Sequence, residues 1–81
     1  MTTDSELREK LRAIIAEVSE VDEIPDETPF KDLGIDSMMA IEIVAEVERT
    51  YKLSIPEEDL RKMTHFTAVY DLVKDKLAQA A

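Results

Sequence analysis

Cysteine is absent from this 81-residue chain, and histidine and glycine occur once each. Each scarcity removes a class of chemistry. Without cysteine no disulfide can staple the fold and no thiolate can ligate a metal. A single histidine, His65, cannot complete a zinc site. The acidic stretch before residue 30 lacks the Asp-x-Asp-x-Asp-Gly spacing of a calcium loop, so no metal is expected. One glycine makes no glycine-rich phosphate cradle. A serine nucleophile needs a neighbouring base, and His65, just after Met63 and Thr64, reads as an exposed residue near a helix cap and not as a partner for Ser37. Catalysis by the chain itself is therefore not expected. Nowhere do about 18 apolar residues run together, and Met1 to Lys10 is polar and charged, so neither membrane spanning nor export is expected and the cytoplasm is the default.

Positive charge is scarce too. Nineteen acidic side chains face ten basic ones, for a formal charge of −9. That field repels phosphate backbones and anionic lipid over a Debye length of about 8 Å, which argues against nucleic acid and membrane partners. Between Ala13 and Phe30 lie Glu17, Glu20, Asp22, Glu23, Asp26 and Glu27 and no lysine or arginine. The run reads either as a solvated loop or as a surface for partners with basic patches.

What the chain does have is helical periodicity. Its length suits one domain, near the lower size at which a single core suffices without staples. Leu7, Leu11, Ile14, Ile15 and Val18 form one apolar stripe, with Thr3 and Glu6 at capping-box spacing, which predicts a helix over about residues 4–18. Phe66, Val69, Tyr70, Val73 and Leu77 form another stripe near the C-terminus, with Thr64 or Thr67 able to cap it and Lys74 and Lys76 suited to its negative end. Pro25, Pro29 and Gly34 break the segment from Ser19 to Asp36, and a middle helix begins near Ser37 and runs to Tyr51. Ser54 and Glu57 again have capping-box spacing, and Pro56 suits a first turn, so a short helix carrying Leu60 and Met63 is expected. The prediction is an all-α four-helix bundle with three main helices, one short third helix and a long first loop. Ile24, Phe30, Leu33 and Ile35 are that loop's anchors, each contributing roughly 1.5 to 3 kcal/mol if fully buried.

Placed at 100° intervals, the middle helix turns Ala40, Ile41, Ile43, Val44, Val47 and Tyr51 toward the core. Met38, Glu42, Ala45 and Arg49 share the opposite arc, flanked by Met39 and Glu46. The two methionines have two readings: packing on the incoming loop near Phe30 and Leu33, or adaptable contacts for changing partners inside a charged rim. Ser37, at the helix start, has two as well. A serine there is ordinarily an N-cap that satisfies an orphan backbone donor.

The surrounding run, Gly34-Ile35-Asp36-Ser37-Met38-Met39, resembles the attachment motif of acyl carrier proteins, Gly-x-Asp-Ser-Leu, with Met38 in the leucine position. The resemblance extends through Phe30-Lys31-Asp32-Leu33-Gly34, Ile55-Pro56 and the helix spacing, over nearly the whole chain, and implies a single carrier domain over residues 1–81. It implies that a phosphopantetheinyl transferase moves a 4′-phosphopantetheine arm from coenzyme A onto Ser37, and that the arm's thiol carries acyl groups as thioesters. The sulfur that the chain lacks would arrive with the cofactor. By motif position, Asp36, Glu42, Glu48 and Glu57 match acidic positions used for partner docking, Met38 replaces the leucine that partners contact, and Met39, Ala45 and Glu46 complete the expected docking face. The partners implied are acyl-transferring, ligating or synthase enzymes with basic docking patches, met by a monomer in fatty-acid, polyketide or specialised acyl biosynthesis. Met39 stands where fatty-acid carriers usually have aspartate, and Arg49 and Arg61 where they often have glutamate. These departures point to a specialised carrier serving a dedicated acyltransferase, ligase or polyketide-like pathway. A peptidyl carrier is disfavoured, because Ile35 and Asp36 replace its usual Gly-Gly-x-Ser pattern. Met1 and the tail Ala78 to Ala81 suit a free-standing chain. The competing reading is an acidic helical protein–protein adaptor with no covalent cofactor.

Overall fold

A computed structural model describes residues 4–80. Thr3, half of the first expected capping box, lies outside them. The described residues form α1 (Asp4–Ser19), a 3₁₀ turn (Phe30–Leu33), α2 (Ser37–Tyr51), α3 (Glu57–Leu60) and α4 (Phe66–Ala80), with no strand among them. This is the expected all-helical bundle with its short third helix and long first loop, though α3 ends at Leu60, and Met63, expected on it, is buried just beyond its end.

The stripes define one core. Leu7, Leu11, Ile14 and Ile15 of α1 meet Ile43, Val44 and Val47 of α2 and Phe66, Val69, Tyr70 and Val73 of α4. Ser19 closes α1 by donating its hydroxyl to Ile15 O at 2.6 Å, which satisfies a carbonyl of the last turn. Of the loop anchors, Ile24, Phe30 and Ile35 are buried and Leu33 is partly buried against the same core.

The acidic loop is stitched down more firmly than its composition suggests. Asp26 takes ion pairs from Arg8, at 2.6 Å, and from Arg12, whose Nε also donates to Ile24 O at 3.1 Å. The two arginines in turn lie over aromatic rings of α4: Arg12 is 4.2 Å from the Phe66 centroid and Arg8 is 5.1 Å from that of Tyr70. Thr67 N–H donates to Asp26 O at 3.1 Å, and Phe30 N–H donates to Thr64 O at 2.8 Å. Asp26 thus belongs to the fold, and the solvated-loop reading does not hold there.

Four further expectations need correction. Ile41, assigned to the core face, is 56% exposed. It stands at the edge of the apolar arc, and the element on that side, α3, is a single turn that does not cover it. The Ser54–Glu57 capping box does not form. Ile55 precedes a proline and is therefore disfavoured from helical backbone, so Pro56 becomes the N-cap residue, without a side-chain cap. Neither Thr64 nor Thr67 caps α4: the Thr67 hydroxyl is shared between Asp26 O at 3.2 Å and Glu27 Oε1 at 2.9 Å, while Thr64 Oγ1 meets His65 Nδ1 at 3.1 Å. Lys74 and Lys76 reach across to other helices instead of serving their own helix end, pairing with Asp4 at 3.3 Å and Asp59 at 3.2 Å. The hydrogen bond and charge of Asp4, followed by Tyr70, raise the Lys74 pKa. The stability this pairing contributes is complete below lysine's ordinary pKa and is lost as pH climbs through the raised value.

Gly34 ends the 3₁₀ turn in the left-handed region, at φ 82°, with its N–H donating to Lys31 O at 3.2 Å. A Cβ at this position would meet nothing within 4 Å. Gly34→Ala should therefore cost only the left-handed backbone penalty, about 1 kcal/mol, read as a lowered urea midpoint with an unchanged slope.

Candidate functional site

The site is built by the turn that precedes it. Gly34 redirects the chain so that Ile35 enters the core while its N–H donates to Phe30 O at 3.0 Å. The next residue, Asp36, is extended (φ −90°, ψ −178°) and is the N-cap of α2: its Oδ1 accepts from Met39 N–H at 2.9 Å, and its carbonyl accepts from Ala40 N–H at 3.0 Å. Ser37 is therefore the first helical residue and not the cap. Its side chain is exposed, and among the described residues no hydrogen-bond partner is placed on its hydroxyl.

Among the described residues, no histidine lines the clefts beside that hydroxyl. His65 has Nδ1 against Thr64 Oγ1 at 3.1 Å and Nε2 3.6 Å from Glu27, and it lines neither cleft beside Ser37. Among the described residues no three His, Cys, Asp or Glu side chains gather as a metal site.

Two clefts open beside Ser37. One, about 400 Å³, runs between the 3₁₀ turn, the start of α2 and the segment before α4, with Phe30, Ile35, Ala40 and Met63 as its apolar lining. The other, about 240 Å³, lies between α2 and α3 and is lined by Ala40, Ile41, Leu60, Glu57 and Arg61. A flexible chain attached at Ser37 has apolar surface within reach in both clefts. That geometry and the unengaged hydroxyl fit a tethered cofactor.

The expected docking residues divide. Met38 is 72% exposed and shares the outward face of α2 with Asp36, Glu42 and Ala45. Glu46 is half-exposed and pairs with Arg49 at 3.4 Å, and Glu57 stands exposed at the start of α3. Met39 is half-buried and packs against the core. Glu48 also turns inward: its Oε2 accepts from Ile55 N–H at 2.9 Å and holds the α2–α3 connection. Glu48→Ala should cost about 1 to 2 kcal/mol in urea unfolding, whereas Glu48→Gln, which keeps an acceptor oxygen, should stay close to the parent. Sequence reasoning missed Ile41 as an exposed apolar neighbour of Ser37 and missed the inward duty of Glu48. The signal for Glu48 was its place seven residues before an Ile-Pro step that must leave a backbone donor to be satisfied.

Comparison with known proteins agrees with this geometry. The family profile for the phosphopantetheine attachment site matches residues 9–74. The anthracycline acyl carrier protein DpsG of Streptomyces peucetius is 37% identical over 82 residues, covering 95% of this chain and 93% of that protein. The non-reducing polyketide synthase dbaI of Emericella nidulans is 33% identical over 75 residues, 90% of this chain, which spans only 3% of that protein's length. Among solved structures, an acyl carrier protein from Thermotoga maritima superposes with a TM-score of 0.83 at 28% identity, covering 96% of this chain and 94% of its own. No described helix is long and apolar enough to cross a membrane. The family's cofactor is covalently attached 4′-phosphopantetheine, and the chain belongs to the phosphopantetheine-binding family of acyl carrier proteins.

Proposed function

We propose that Ser37 is the attachment residue of a single carrier domain spanning residues 1–81, without catalytic activity of its own, and that its cargo is a polyketide-type acyl chain. The observation that carries the first part is the division of labour at the head of α2. Asp36 takes the capping duty, so the hydroxyl of Ser37 stays exposed. The arm, once bound, supplies the terminal thiol that holds an acyl group as a thioester. The chain's own part is to present that tether on a rigid helix end, with the helix dipole offering a modest favourable field of about 0.3 to 1 kcal/mol to a phosphodiester and Asp36 opposing part of it. The polyketide part rests on the carriers and synthases to which the chain is similar, and on Met39, Arg49 and Arg61 at positions that are often acidic in fatty-acid carriers.

The partners of this reading are a phosphopantetheinyl transferase and synthase enzymes with basic docking patches. Asp36, Met38, Glu42, Ala45 and Glu46, joined by Glu57, form the face they meet, an apolar centre in an acidic rim. A tethered substrate is delivered at an effective concentration on the order of millimolar, so docking is best weak, and exposed charge pairs at roughly 0.2 to 1 kcal/mol each supply steering without slow release. Added salt should weaken docking. A net charge of −9 opposes self-association and favours a monomer. The cytoplasm, which holds coenzyme A, is the compartment this reading requires.

The test is intact mass after incubation with coenzyme A and a broad-specificity transferase. One added phosphopantetheine, with one new titratable thiol on a chain that has none, is the expected result. A protein that folds but stays unmodified would return the adaptor reading to first place.

A further inference from the structure

Ten lysines and arginines share this chain with nineteen carboxylates, so most cations find a partner. Arg8, Arg12, Arg49, Lys62, Lys74 and Lys76 each have a carboxylate within 4.0 Å. Among the described residues, Lys10, Lys31, Lys52 and Arg61 enter no such pair. Two of these four line separate clefts that Ser37 also lines. Lys31 lies on the 3₁₀ turn and borders the larger cleft together with Ser37, and Arg61, the C-cap residue of α3, borders the smaller one together with Ser37. Both are exposed.

The placement runs against the rest of the surface. A phosphodiester on Ser37 would carry one negative charge beside Asp36, within a field of net −9. Unengaged cations lining both clefts offset that repulsion. An ammonium acts as a point charge toward phosphate oxygens, and a guanidinium can engage two of them at once. We propose that Lys31 and Arg61 are positioning residues that bracket the phosphodiester at Ser37 and hold the root of the arm between the two clefts. The inference rests on Ser37 as the attachment residue. It assigns the cations to the tethered phosphodiester and not to the phosphates of free coenzyme A.

The test compares side-chain NMR signals of isotope-labelled apo and loaded protein, with mass confirming the load. On loading, the Nε–Hε signal of Arg61 and the side-chain signals of Lys31 should shift, and those of Lys10 and Lys52 should stay. High salt should reduce the shifts. Lys31→Gln and Arg61→Gln should each lower the docked population of the arm by about 1.4- to 5-fold, seen as greater mobility of the arm's first amide. Coenzyme A added to Ser37→Ala protein should leave Lys31 and Arg61 unmoved. Loaded protein in which Lys31 and Arg61 shift no more than Lys10 and Lys52, or equal shifts with free coenzyme A, would overturn this inference alone. A mass unchanged after transferase treatment would overturn the attachment reading and this inference with it.

Discussion

Ser37→Ala protein should gain no mass on treatment with coenzyme A and transferase, yet unfold within about 0.5 kcal/mol of the parent, because its exposed hydroxyl holds no hydrogen bond in the fold. Asp36→Ala should do the reverse. It removes the oxygen that accepts from Met39 N–H, costing about 0.5 to 2 kcal/mol and loosening the first turn of α2, but it leaves a hydroxyl that can still be loaded, more slowly. The crossed pattern matters because each rival predicts something else. If Ser37 were the structural cap, its alanine variant would lose the stability and Asp36→Ala would not. If the chain were an adaptor without cofactor, neither variant would change mass, since the parent would gain none. Urea unfolding and intact mass on the same three preparations separate the cases.

The three long helices were legible because each buries a continuous stripe, and periodicity reports burial directly. Leu7 to Ile15, Ile43 to Val47 and Phe66 to Val73 all lie where their spacing places them. What the wheel could not show was coverage from the side. Ile41 falls on the apolar arc but remains exposed, because the neighbouring helix is one turn long and a pattern on α2 contains no information about the length of α3. The acidic loop failed for a similar reason. Composition makes Asp26 equivalent to Asp22 and Glu23, and only tertiary contact distinguishes it, by bringing Arg8 and Arg12 of α1 between it and the rings of Phe66 and Tyr70. A hint was present in the four-residue spacing of those arginines, which places them on one side of α1. At the head of α2, the motif singled out Ser37 as a candidate, but the identity of the cap was not legible. Asp36 and Ser37 are both good capping residues, and the choice is made by the backbone: Gly34 and the burial of Ile35 fix Asp36 as the last extended residue.

The same logic explains how a half-acidic loop holds the turn before Ser37 in place. The chain from Ile24 to Phe30 is fixed at one end by Arg12 and at the other by Phe30 N–H on Thr64 O, and the turn that follows delivers Gly34, Asp36 and Ser37 in order. The site's geometry thus depends on the start of α4, although no residue of α4 touches Ser37's hydroxyl.

Phe66→Ala should therefore have the largest effect on stability of any change considered. Phe66 is fully buried, and truncating a buried phenylalanine costs about 3 to 5 kcal/mol. At roughly 0.05 to 0.15 kcal/mol per residue, a domain of 81 residues has about 4 to 12 kcal/mol to lose. The variant also removes the ring beneath Arg12, leaving that guanidinium with Asp26 and Ile24 O but without its aromatic face. Phe66→Leu should be milder, since it keeps most of the apolar volume while losing the ring. Ile41→Ala, by contrast, should stay within about 0.5 kcal/mol, because that side chain is already largely in water. Urea unfolding gives the ranking, and amide exchange locates its cause: in Phe66→Leu protein the Phe30 amide, bonded to Thr64 O, should lose protection before the amides of Ile43 and Val47 do. Equal protection at all three sites would mean that the turn before Ser37 does not hang on the start of α4.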